Sequence, residues 1–160
     1  MRKSLIPALA IGGLVAAACS SSASTTGTET FAGSSTSVTS NIVPLTASGI
    51  VADHGTINLG GNGTKGTLDL AKGHVDVTHT NPSPPFSLDK TTCTGTSVAS
   101  GTYTITGGTG SYAKATGHGT YKVTFTGKFP LVGGKCNPSP NATPTSGLTT
   151  FHASGPFTFG

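Results

Sequence analysis

Gly101-Thr-Tyr-Thr-Ile-Thr-Gly-Gly-Thr-Gly-Ser-Tyr-Ala-Lys-Ala-Thr-Gly-His-Gly-Thr-Tyr-Lys-Val-Thr-Phe-Thr-Gly127 decides the fold class. Its β-branched and aromatic residues suit a pleated, half-buried surface, and its glycines stand where backbone must turn or bulge. Tyr103 and Ile105 oppose Thr102 and Thr104, and Tyr121, Val123 and Phe125 oppose Thr120, Lys122 and Thr124. Alternation with a period of two belongs to strands that turn one face inward and the other to water. The stretch reads as strand, glycine-rich turn, short irregular strand, second glycine turn and strand.

The same pattern extends outward. Strands are expected at 48–53, 56–60, 66–71, 74–80, 93–99, 102–107, 112–116, 119–127, 148–153 and 157–159. In one of them Val75 and Val77 face one side while His74 and Asp76 face the other. No long segment carries a helical apolar period, so the domain is all-β, an antiparallel sandwich or barrel. Two proline-rich loops, one before Phe86 and one after Cys136, belong at ends or edges of the sheet, because proline cannot donate to a ladder.

Composition fits this reading. Charged residues are 9% of the chain, glycines number 24 and tryptophan is absent. The formal charge is +4, but Arg2 and Lys3 fall in the leader and no arginine follows them. The remaining lysines are scattered, which argues against a nucleic-acid-binding face.

Residues 1–18 read as an export signal: a basic start, an apolar run from Leu5 to Val15 too short to span a bilayer, then Ala16-Ala17-Ala18. Cys19 follows at once and resembles the acceptor cysteine of a bacterial lipobox, although Ala16 stands where leucine is more usual. Lipidation of Cys19 would anchor the protein to the outer side of a membrane. Without it the protein is secreted with a free thiol. Residues 19–44, rich in Ser, Thr and Gly, read as a disordered tether, and the domain as 45–160.

Cys93 and Cys136 lie 43 positions apart and flank the central hairpins. In an exported protein of this size their default is a disulfide, and no C-x-x-C spacing supports a redox or metal pair.

At 101–127 the chain resembles allene oxide cyclase-like and dirigent-like β-barrels, and more closely a group of exported actinobacterial proteins. The latter similarity includes Thr92-Cys93, Gly133-Gly-Lys-Cys136 and Ala153-Ser-Gly-Pro156. The resemblance implies a single small antiparallel β-barrel over roughly 49–160. It carries no catalytic residue over to this chain.

Candidate chemistry is sparse. Gly107-Gly-Thr-Gly110 lacks the following helix and Lys-Ser/Thr ending of a phosphate loop, so a turn needing positive φ explains it better. Five histidines invite a metal, yet His74 and His79 fall on opposite faces of one strand, and no metal or other cofactor is expected. Asp53 with His54 and His74 with Asp76 are acid–base pairs by position only, and no nucleophile elbow is present. Asn62-Gly-Thr and Asn141-Ala-Thr match glycosylation sequons. Tyr103, Tyr121, Phe125, Phe151 and Phe157 are expected to point inward, as is Phe159. They either fill the core or line a cavity for a small apolar ligand. The expectation is a non-enzymatic binding or surface-interaction module; the alternatives are a carrier or cyclase-like enzyme for such a ligand, or a structural envelope protein.

Overall fold

The computed structural model describes residues 24–60, 63–136 and 142–160, so the expected leader, Cys19, Asn62 and Asn141 lie outside the described residues. Five strands lead the chain: β1 (Thr25–Ser35), β2 (Ile42–Gly49), β3 (Asp53–Asn58), β4 (Lys65–Leu70) and β5 (Gly73–His79). Short β6 (Phe86–Asp89) and long β7 (Thr94–Gly108) follow. A 3₁₀ turn at Gly110–Tyr112 leads to β8 (Thr116–Lys128), a small hairpin of β9 (Leu131–Val132) and β10 (Lys135–Cys136), and β11 (Ser146–Phe159).

Eight strands close an antiparallel barrel in the order β5-β4-β3-β2-β1-β11-β8-β7, with β7 returning to β5. The length of β7 is what allows closure with an extension. Its C-terminal half pairs with β5, while its N-terminal half reaches past β5 and pairs with β6. Between Asp76 and Val77 the β5–β7 register shifts, and Gly107 takes the bulge at a φ of 148°, a conformation that excludes most side chains. The glycine-rich run after β7 is thus a bulge and turn, with Gly110 also left-handed.

Within the deciding stretch, Gly101-Thr102-Tyr103 lies antiparallel to Gly119-Thr120-Tyr121. Tyr103 therefore falls opposite Gly119, and Tyr121 opposite Gly101. A Cβ on Gly119 would come within 2.8 Å of the Tyr103 ring, and one on Gly101 within 2.8 Å of the Tyr121 ring. Each ring covers the glycine of the other strand, which pins the register of this hairpin.

The barrel has two unlike poles. At the closed pole, Tyr112 enters from the 3₁₀ turn and packs edge-on against Phe157 and Phe159, with Phe31 behind them. Its hydroxyl donates to Asp53 Oδ2 at 2.6 Å. At the other pole β7, β8 and β11 run on beyond the barrel wall, with β6 at their edge. The Cys93–Cys136 disulfide ties the turn before β7 to β10 there. Every barrel strand and both bonded cysteines lie within residues 25–159, so the barrel is complete without the residues that precede it.

Several expectations need correction. Residues 25–44 are not a tether: β1 and β2 are barrel staves, β1 pairs on both sides, and the domain begins by Thr25 rather than at residue 45. Only the first residues of that segment, through 23, lie outside the described ones. Residues 48–53 are not one strand: β2 ends at Gly49, at a φ of 140°, residues 50–52 make the bend, and β3 starts at Asp53. The strand expected at 112–116 is absent up to Thr116, where β8 begins, because Gly110 turns the chain and Tyr112 is drawn into the core. The paired segments expected at 93–107 and at 148–159 are each one continuous strand, the second running through Pro156. β6 follows directly on the first proline-rich loop.

Candidate functional site

The interior is packed at the closed pole and hollow towards the other. A cavity of about 250 Å³ opens between the ends of β3, β4 and β5 and the loop around Pro82 and Pro84. Its cause is residue size. Gly66, Ala99 and Ala153 stand in its lining and leave room that longer side chains would fill. Phe31, Leu68 and Tyr103 form the deep end, Val77, Val123 and Phe151 the sides, and Asn58, Lys65, His79 and Asn81 the rim. The volume lies just below the ~300–1,000 Å³ of pockets for drug-sized ligands. It suits a compact molecule, or one end of a longer one.

Polar groups are few and placed. The Tyr121 hydroxyl donates to the Thr80 carbonyl at 2.6 Å, and His79 Nδ1 lies 2.8 Å from the same oxygen. A carbonyl only accepts, so Nδ1 carries a proton, and in the neutral ring Nε2 is left as an acceptor. The two rings meet edge to face at 5.9 Å. In the deep end, burial pushes the Tyr103 hydroxyl up to about 12, with the Glu29 carboxyl adding to the effect. That hydroxyl therefore stays protonated at neutral pH and is a donor.

Glu29 lies on the inner face of β1, two residues from Phe31 and fully buried. Its Oε2 accepts from the Val51 amide at 2.9 Å, while Oε1 has no partner among the described residues. Burial raises its pKa above the ordinary carboxylate value, against hydrogen bonds from backbone amides led by Val51. Glu29 is the one glutamate in the chain, at the centre of the inward series Gly27, Glu29, Phe31, Gly33. That alternation was the signal for it. The segment's lack of large apolar residues hid the signal.

A raised carboxyl pKa has a defined effect on stability. Above the unfolded value of 4.5 the native state binds more protons than the unfolded chain, so unfolding free energy falls as pH rises through the native pKa. Asp53 behaves oppositely: burial raises its pKa, but hydrogen bonds from Tyr112 and the His54 and Lys72 amides outweigh this and lower it. Its contribution is present above 3.8 and is lost as pH falls through the native value. Glu29→Gln is expected to remove the decline on the alkaline side while leaving the acid limb intact. Urea midpoints measured from acid to neutral pH check this, and an unchanged alkaline slope would refute it.

The sequence-derived residues separate into groups. Tyr103, Tyr121 and Phe151 line the cavity. Phe157 belongs to the packed closed pole, and Phe125 lies beyond the opening, beneath Gly127 and Gly147. His54, with its side chain 83% exposed, lies 4.0 Å from Asp53, and His74 lies 3.6 Å from Asp76 with both side chains partly exposed. Neither pair reaches the cavity. Among the described residues no three His, Cys, Asp or Glu side chains gather as a metal site would need. No protein-family model matches the chain, and neither a curated protein nor a solved structure matches it.

Proposed function

We propose that this protein is an extracytoplasmic, non-enzymatic binding module that holds a small, mostly apolar molecule in the open half of its barrel. The observation that carries the reading is the cavity itself, apolar inside with a sparse polar rim. Its walls offer hydrogen-bond partners at Tyr103 and His79, which would orient one polar group on an otherwise apolar ligand. The leader and the disulfide support export. A lipid on Cys19 would hold the closed pole towards the membrane, because Thr25 enters the barrel opposite Phe159 at that pole. The opening then faces outward.

Native mass spectrometry of residues 24–160, compared with the denatured mass, tests for a retained molecule. Titration with N-phenyl-1-naphthylamine, a small neutral fluorophore, tests the empty cavity. Ala99→Phe is expected to fill the opening and weaken probe binding at least about tenfold, with the fold unchanged by circular dichroism. Absence of both retained mass and probe binding, or undiminished probe affinity in a folded Ala99→Phe, would overturn the reading.

A further inference from the structure

The poles of the barrel differ in charge as well as in packing. Lys65 on the cavity rim, Lys90 in the turn after β6, Lys128 at the end of β8 and Lys135 in β10 all stand at the open pole. One carboxylate, Asp89, stands among them. The other acids, Glu29, Asp53, Asp69 and Asp76, lie nearer the closed pole or in the wall. Four of the seven lysines that follow Lys3 therefore stand at this end, with Lys72 and Lys114 at the closed pole, where Asp53 and Asp69 offset them, and Lys122 in the wall.

The same end carries the most exposed large aliphatic residues among those described. Gly133 and Gly134 both take positive φ, 60° and 76°, which makes the tight turn of a two-residue hairpin. Leu131 and Val132 on that hairpin are 63% and 64% exposed. Lys128 and Lys135 flank them in sequence, and Phe86, 54% exposed, stands close by against Phe129. Water-facing leucine and valine on a projecting hairpin add nothing to the core.

We infer that the open pole docks on a lipid bilayer surface bearing anionic headgroups, with Leu131 and Val132 entering the acyl boundary and the lysines meeting the headgroups. Charge complementarity supplies the attraction, about fivefold in affinity for each lysine near such a surface. The aliphatic pair selects a bilayer over a soluble anionic polymer, which would engage the lysines alone. Docking does not depend on the cavity holding a ligand. Where it does, the opening meets the bilayer directly, and an apolar molecule passes between them without crossing water. A lipid on Cys19 would occupy the opposite pole, so the docked surface is one facing the anchoring membrane.

The test uses residues 24–160, which carry the whole barrel without the apolar leader. Flotation is compared between neutral phosphatidylcholine vesicles and vesicles with roughly one lipid in three phosphatidylglycerol. Binding is expected to the second only, and to weaken with salt. Leu131→Ser with Val132→Ser is expected to lower it at least about tenfold, as is Lys90→Gln with Lys135→Gln. The chain contains no tryptophan, so Val132→Trp is a unique reporter, and its emission should shift to the blue on vesicles. No binding, equal binding to neutral vesicles, an unshifted tryptophan, or full binding by the serine variant would each overturn the proposal. The last would identify a purely charged partner. Probe binding measured on the same samples reports the cavity separately, so loss of one reading leaves the other standing.

Discussion

Replacing Phe157 with alanine is expected to destabilise the barrel by about 3–5 kcal/mol. The ring is 2% exposed and meets Phe31 at 6.1 Å, Phe159 at 5.7 Å and Tyr112 at 6.4 Å. Removing it takes a contact from each of three aromatic rings and leaves a void at the pole where the barrel is sealed. The Tyr112 hydroxyl is fixed to Asp53, so the plug cannot simply slide in to fill the gap. Phe151→Ala provides the comparison. That ring already borders open volume, so its loss enlarges a water-accessible cavity and should cost clearly less. Urea unfolding of both variants measures the difference. Equal costs would mean that the closed pole is no better packed than the open one.

Removing the disulfide through Cys93→Ala with Cys136→Ala is expected to cost about 4 kcal/mol by loop-closure entropy, and to lower Tm by about 10–20 °C. The bond closes a loop of sequence separation 43 that contains the whole β7–β8 hairpin. Cys93 also sits at a φ of 52°, a left-handed conformation unusual for a residue other than glycine. Once released, that turn has a local reason to relax, and β10 loses its covalent tie to the barrel. Calorimetry with and without reductant should reproduce the variant's shift in the unaltered protein. A Tm change under about 3 °C would show that the barrel is held by its ladders alone.

How much of this was legible in the sequence depended on residue size. The hairpin of 101–127 could be read because large and small residues alternate there, and the expectation of export made Cys93 and Cys136 a pair. β1 escaped because a narrow barrel accepts Gly27 and Gly33 on its inner face, so the apolar half of the alternation shrinks to Phe31 with Glu29 beside it. Tyr112 looked like a strand aromatic, since a plug and a stave use the same residue type. Whether the barrel was filled or hollow lay beyond periodicity altogether. It is both, because Phe157, Tyr112 and Phe159 crowd one end while Ala99, Ala153 and Gly66 face each other's neighbours at the other. That balance is a sum over strands distant in sequence, which no local pattern records.

The seam between β1 and β11 sets the order in which this protein can assemble. Thr26 and Thr158 bond across it at 2.9 Å, 132 positions apart in the chain. The β7–β8 hairpin, pinned by its facing tyrosines and glycines, needs only a short connection to close and can form early. The seam needs β11, so β1 waits with one edge unpaired until residues 146–159 have emerged. Unpaired edges invite mispairing with other copies. Here the waiting strand is mostly threonine, serine and glycine, with single phenylalanine, alanine and glutamate residues, a poor nucleus for aggregation. The composition that made β1 resemble a linker is what lets it stay open safely until its partner arrives.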